Sequence, residues 1–172
     1  MKKHTTERNV TALTSSAALG ALAFLTVGTS SAFAATLSYR ADVDGTPSAV
    51  WAAIGPFCAI KDWLPQVGAC IEDGKSPPTR TVVTEDGKAA FVETQTARDD
   101  AKYSYSYNFR ATPLPVRQYV STIKVVANGK DTSTVIWSST YTPEPGKEKD
   151  ASDGLLAIYE AGLTSIKARL AK

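Results

Sequence analysis

Arg80 and Glu93 are the residues whose types and spacing first suggest chemistry, because they lie symmetrically about the turn signal Asp86-Gly87. If Asp86-Gly87 forms a two-residue type I′ turn, Thr84 faces Ala89, Val82 faces Phe91 and Arg80 faces Glu93. The charged pair then shares a strand face with apolar Val82 and Phe91, the face expected to be concave. Two readings follow. On a solvated face the pair is an ordinary cross-strand ion pair that stabilises by a few tenths of a kcal/mol. Inside a cavity, Arg80 is a charged donor for a carboxylate or carbonyl and Glu93 holds it in place. An unpaired charge would be costly there, so the two should stand or fall together.

The second candidate centre is the stretch FCAIKDWLPQVGAC, which holds the only two cysteines, Cys58 and Cys70. Their spacing is neither the C-x-x-C of a redox centre nor half of a four-ligand metal site. Its meaning depends on compartment. Met1-Lys2-Lys3 and Arg8 form a positive region, 17–27 is an apolar run, and Ala32-Phe33-Ala34 matches an A-x-A cleavage site. Residues 1–34 therefore read as a cleaved secretory signal and 35–172 as a single domain. A membrane anchor is disfavoured because the run is shorter than the ~20 apolar residues that span a bilayer. In an oxidising compartment a Cys58–Cys70 disulfide is expected, with two buried thiols as the alternative.

Losing the signal removes Lys2, Lys3, Arg8 and Glu7, which leaves sixteen basic and sixteen acidic residues of the original nineteen and seventeen. A formally neutral domain makes nucleic acid an improbable partner, since that binding needs a basic surface. The single histidine, His4, leaves as well. Histidine-dependent nucleophiles and histidine-ligated zinc are thereby excluded from the mature chain, and neither metal nor cofactor is expected.

The elements that must position these residues can be read from periodicity. Alternation over 37–43 predicts a strand. Thr46-Pro47 starts a short helix over 48–54, which Gly55-Pro56 ends with a left-handed cap and a breaker. A second short helical segment covers 57–63. Period-two patterns then predict strands at 67–72, 79–84, 89–98, 103–111, 119–127 and 132–141, joined by short turns as an antiparallel meander. After a polar loop over 143–150, Ser152 or Asp153 caps a long helix with Leu155, Tyr159, Gly162, Leu163, Ile166 and Leu170 on one stripe. From Leu155 to Leu170 it would run ~24 Å.

About seven strands curled around one long C-terminal helix, with two short helices after the first strand, is an α+β helix-grip arrangement that leaves a cavity unless large side chains fill it. Tyr105, Tyr107 and Phe109 continue an aromatic face begun by Tyr103. Tyrosines combine apolar area with hydroxyls able to orient a ligand's oxygens, although core packing explains at least some of them. Phe57, Trp63, Trp137 and Tyr159 would complete the lining, each with core packing as its simpler explanation. Gly162 would bring the helix close to the sheet or leave ligand space. With Ala161 it thins the helix enough for a cavity of ~300 Å³ or more.

These segments also resemble a known family. PSAVWAAIGPF, DWLPQV.AC, TRTVVTEDGKAAFVET, YSYSYNF, TPLPV..Y, TVIWSSTY and IYEAGLTSIKA are similar to the polyketide cyclase/dehydrase and lipid-transport (SRPBCC) group of the START/Bet v 1-like superfamily, especially its small exported MxaD-type members. The likeness covers nearly all of 37–170 and implies a Bet v 1-like fold. It guides activity poorly, since one scaffold serves carriers, receptors and cyclases. Many members carry Trp-His-Pro where this chain has Trp63-Leu64-Pro65, so no role of that histidine carries over.

Three functions follow. A periplasmic protein would bind a small hydrophobic, amphipathic or aromatic molecule against Phe57, Trp63, Leu64, Arg80, Val82, Phe91, Glu93, Tyr105, Tyr107, Phe109, Trp137 and Tyr159, with no stable membrane insertion. A cyclase or dehydratase would use Glu93 or a tyrosine for proton transfer, but Arg80 should stabilise ionised Glu93 and leave it a weak base, which argues against catalysis. An accessory protein for a periplasmic oxidoreductase would present an exposed patch near Trp63-Leu64-Pro65 to its protein partner.

Overall fold

A computed structural model describes residues 33–171. The expected signal lies outside the described residues apart from Phe33 and Ala34, and the first strand, β1 (Ala35–Asp44), begins directly after them. Then come helix α1 (Pro47–Ile54), a 3-10 turn (Phe57–Ala59), helix α2 (Ile60–Trp63) and the strands β2 (Val67–Glu72), β3 (Thr79–Thr84), β4 (Ala90–Asp99), β5 (Ser104–Ala111), β6 (Val116–Ala127) and β7 (Thr132–Pro143). Helix α3 (Glu148–Leu170) closes the chain. All seven strands form one antiparallel sheet in the order β1-β7-β6-β5-β4-β3-β2, so the first strand returns to pair with the last. The helix-grip class expected from the element order is the one observed.

Local chemistry explains the boundaries, including those misjudged from sequence. The Thr46 hydroxyl accepts from the Ala49 N–H at 3.4 Å, and Pro47 needs no partner in the first turn of α1. Gly55 ends that helix with right-handed geometry, φ −72°, rather than the left-handed cap expected. Glycine is required there for space: a Cβ would lie 2.6 Å from the Trp51 ring. Tyr103 takes φ 51° after the 3-10 turn Asp100–Lys102, so β5 starts one residue later than the alternation suggested.

Helix α3 differs most. It begins at Glu148, inside the stretch expected to be loop, with Lys147 as its first flanking residue. Ser152 and Asp153 do not cap it; the Ser152 hydroxyl donates back to the Lys149 carbonyl, and Asp153 pairs with Lys149. Glu148 and Asp150 in the first turn, with Lys167 and Arg169 in the last, suit the helix dipole at both ends. The 23 residues span ~35 Å, of which Leu155 to Leu170 accounts for the ~24 Å expected.

The β3–β4 register is the one expected: Arg80 faces Glu93 and Val82 faces Phe91. The turn that sets it is different. Gly87 has φ 69°, Asp86 does not share that left-handed conformation, and the Gly87 N–H bonds the Thr84 carbonyl at 2.9 Å. The loop is thus not type I′. The Thr84 N–H still bonds the Ala89 carbonyl at 2.9 Å, so the same residues face one another.

Cys58 and Cys70 form a disulfide that ties the 3-10 turn to β2. Reducing it should lower unfolding free energy by about 2–3 kcal/mol in the loop-entropy picture, measured by denaturant titration with and without reductant. The native oxidised protein should show no titratable thiol.

Candidate functional site

The concave face is built from alternate residues of the central strands, whose side chains point toward α3. On β3 and β4 these are Arg80, Val82, Phe91 and Glu93; β5 adds Tyr105, Tyr107 and Phe109, β6 adds Tyr119 and Ser121, and β7 adds Trp137. Arg80 is 0 % exposed and Glu93 4 %, which eliminates the solvated-pair alternative. Arg80 Nε donates to Glu93 Oε2 at 2.6 Å, and Nη1 donates to the Phe57 carbonyl. Nη2 has no hydrogen bond. The guanidinium carbon lies 4.0 Å from the Phe57 ring centre and 5.3 Å from that of Tyr107, so aromatic faces replace part of the lost hydration.

Burial pulls the Arg80 guanidinium toward its neutral form, but the Glu93 carboxylate, with Tyr105 and Tyr107 beside it, outweighs this and raises its pKa. Burial pushes the Glu93 carboxyl above its ordinary range, and Arg80 opposes that shift without cancelling it. Arg80 does stabilise ionised Glu93, as expected, and desolvation of the carboxyl acts against that neighbouring cation.

Beside this pair lies an apolar cavity of about 210 Å³ between the sheet and α3, smaller than the ~300 Å³ expected. Of the residues expected to line it, Leu64, Val82, Phe91, Glu93, Tyr107, Phe109, Trp137 and Tyr159 do so. Phe57, Trp63, Arg80 and Tyr105 do not. Phe57, Tyr105 and Arg80 pack together behind the wall, with the Phe57 and Tyr105 rings edge-on at 5.6 Å and Arg80 over Phe57, while Trp63 packs edge-on against Trp137 at 5.4 Å. Sharing a concave face did not separate cavity wall from the packing behind it.

Several lining residues were not singled out from sequence. Ile60 and Val67 come from α2 and β2, Leu155 and Ile158 from α3, and Tyr119 from β6. Leu155 was legible as part of the apolar helix stripe, and Tyr119 as the start of an alternating strand. Exposed Gln66 and half-buried Thr84, Phe91 and Ile158 give the cavity its outer rim. Deeper in, Phe109 stacks on Tyr119 at 3.9 Å and Trp137 stacks on Tyr159 at 4.3 Å.

Gly162 serves close approach rather than ligand space. A Cβ there would meet Trp137 Cζ3 at 2.9 Å, Trp63 Cζ3 at 3.0 Å and Leu64 Cδ1 at 3.3 Å. The cavity lies nearer the start of α3, beside Leu155, Ile158 and Tyr159. Trp63 and Leu64 are buried, so the exposed patch expected around Trp63-Leu64-Pro65 does not exist; only Pro65 is exposed. Among the described residues, no acidic, cysteine and histidine cluster suits a metal ion, and no helix is long and apolar enough to cross a membrane.

Curved sheet, gripping helix and the apolar cavity between them define the Bet v 1-like scaffold. The chain belongs to the polyketide cyclase / dehydrase and lipid transport family, whose profile matches residues 34–171. It is similar to the solved structure of XoxI from Bacillus cereus, at 29% identity and TM-score 0.74, covering 79% of this chain and 95% of that one. The fold also matches truncated norcoclaurine synthase from Thalictrum flavum, at 17% identity and TM-score 0.63, with 81% and 95% covered. A third match is the ZhuI aromatase/cyclase of Streptomyces sp. R1128, at 13% identity and TM-score 0.64, with 80% and 94% covered. No curated protein matches the chain.

Two outcomes test this geometry. Arg80→Met should destabilise the protein by about 3–5 kcal/mol by stranding a buried carboxylate, whereas Arg80→Met with Glu93→Leu should recover much of that loss. A loss in the double variant equal to the sum of the losses in Arg80→Met alone and Glu93→Leu alone, by equilibrium unfolding, would show that the pair is not coupled. Gly162→Ala should cost about 1–3 kcal/mol, because the stacked Trp137 ring cannot swing away freely.

Proposed function

We propose that this protein binds a small hydrophobic or amphipathic molecule in the cavity under α3, as an exported member of its family. The observation that carries this reading is the cavity itself, about 210 Å³ walled by aliphatic and aromatic side chains with few polar groups. An apolar cavity of ~150 Å³ in another protein stays dry and takes benzene. The space here suits a one- or two-ring molecule better than a long lipid chain. The family description, and matches titled as an aromatase/cyclase and a norcoclaurine synthase, support a scaffold that accepts small organic molecules.

Export rests on the signal-like residues 1–34, with 35–172 as the mature domain, and the Cys58–Cys70 bond suits an oxidising compartment. Intact mass of the protein recovered from the periplasm should correspond to a chain starting at Ala35. A mass that retains 1–34 would exclude cleavage there.

A second reading, catalysis at the same cavity, is favoured by one observation: Glu93 lines the wall and burial raises its affinity for a proton. Such a carboxyl has a place in proton transfer that an ordinary surface glutamate lacks. Turnover lost with binding retained in Glu93→Gln would establish this reading over a carrier.

Binding is tested with naphthalene as probe. The wild-type protein should be stabilised progressively as naphthalene is added, as expected for a ligand that binds only the folded state. Ile158→Trp, which places an indole in the cavity from its rim, should abolish that stabilisation while leaving unliganded stability within about 1 kcal/mol. No stabilisation of the wild type, together with no small molecule on native mass spectrometry of the freshly isolated protein, would remove the binding reading.

A further inference from the structure

The tyrosine hydroxyls of the cavity wall form one hydrogen-bonded chain, and the direction of its protons follows from counting donors. Ser121 Oγ donates its only proton to the Ser138 carbonyl at 3.0 Å, since a carbonyl can only accept. Its contact with Tyr159 Oη at 3.2 Å must therefore be donated by Tyr159. Tyr159 has then spent its proton, so the 2.7 Å bond between Tyr119 and Tyr159 is donated by Tyr119. Two of the three phenols are committed.

Tyr107 stands at the head of this chain. Its oxygen accepts from the Trp137 indole N–H at 3.1 Å, a proton it shares with Ser121 Oγ at 3.0 Å, and the acceptor for its own proton is the Tyr119 oxygen, 3.5 Å away. That is the longest contact in the network and lies beyond the usual range for a hydroxyl bond. The accepted indole bond polarises the phenol and makes it a better donor. Burial raises the Tyr107 pKa well above its ordinary value, so the phenol keeps its proton at neutral pH.

Other polar groups on the wall do not compete as donors. Glu93, paired with Arg80 through Oε2, can only accept as a carboxylate, Thr84 bonds Asp86 and the Ala89 backbone beside it, and Gln66 is exposed at the rim. Among the described lining residues, Tyr107 is the deep donor whose proton is poorly used.

We infer that Tyr107 is the specificity-determining residue of the cavity, and that the preferred ligand is a compact one- or two-ring molecule whose carbonyl-type oxygen takes the Tyr107 proton. This rests on the binding reading above. The ligand oxygen replaces a 3.5 Å contact with one of ordinary length, while the rings occupy the apolar space between Phe91, Phe109 and Ile158. Molecules that end in a donor alone would find the Tyr107 oxygen already sharing the Trp137 N–H with Ser121.

The test compares 1-tetralone with tetralin, which share a bicyclic frame and differ by the carbonyl, in the full exported protein. Tyr107→Phe should weaken 1-tetralone threefold to tenfold, the range of one net hydrogen bond, and leave tetralin within twofold. The carbonyl stretch of bound 1-tetralone should lie at lower frequency in the wild type than in Tyr107→Phe. Tyr119→Phe removes the competing acceptor and should strengthen 1-tetralone binding, which keeps the inference testable if Tyr107→Phe does not fold. Equal losses for both probes in Tyr107→Phe, or weaker 1-tetralone binding in Tyr119→Phe with no carbonyl shift in the wild type, would overturn the assignment of Tyr107 while leaving cavity binding intact. Failure of both probes to bind the wild type would overturn the binding reading as well.

Discussion

The buried pair of Arg80 and Glu93 is the constraint around which the rest of the structure is arranged. A guanidinium with no solvent exposure must find its partners inside the protein, and each one ties down a different segment. Glu93 fixes β3 against β4, the Phe57 carbonyl draws in the turn after α1, and the rings of Phe57 and Tyr107 cover the remaining faces. The disulfide holds the same turn to β2 from its other side. Charge, aromatic packing and covalent bond therefore converge on one corner of the molecule, and the cavity opens beside it.

That arrangement explains why the cavity is small. Phe57 and Tyr105 pack against the buried charge, and Gly162 lets α3 descend onto Trp63 and Trp137. What stays open lies toward the start of α3, where Leu155 and Ile158 face Phe91 and Phe109 across the sheet. Extension of that helix back to Glu148 adds turns ahead of the residues that roof the cavity.

Polar groups within the wall divide into two kinds. Glu93 is bound to a cation, while Tyr107, Tyr119 and Tyr159 relay their protons through Ser121 to a backbone carbonyl. Under the proposed binding function, a site with so little spare hydrogen-bonding capacity would select by shape and by the donor left poorly satisfied, and under the catalytic alternative Glu93 is the wall residue from which proton transfer would start.

Local pattern was enough to establish the fold. Period-two alternation gave the seven strands, the apolar stripe around Leu155, Tyr159, Leu163 and Ile166 gave the gripping helix, and the symmetry of Arg80 and Glu93 about Asp86-Gly87 gave their register. The register survived a wrong turn type because Thr84 and Ala89 still pair at the mouth of the loop, so every side chain keeps its face. Which inward residues touch empty space and which touch one another was decided by tertiary structure. Trp63 and Leu64 are adjacent in sequence, yet one packs behind the wall and the other lines it; Gly162 reads equally well as room for a ligand or as room for Trp137. The sign of the Glu93 shift was decided there too, since a neighbour's charge can be read from sequence whereas the loss of water around both groups depends on everything folded over them. Periodicity determines the direction of a side chain; the volume left beyond it depends on how closely distant elements approach.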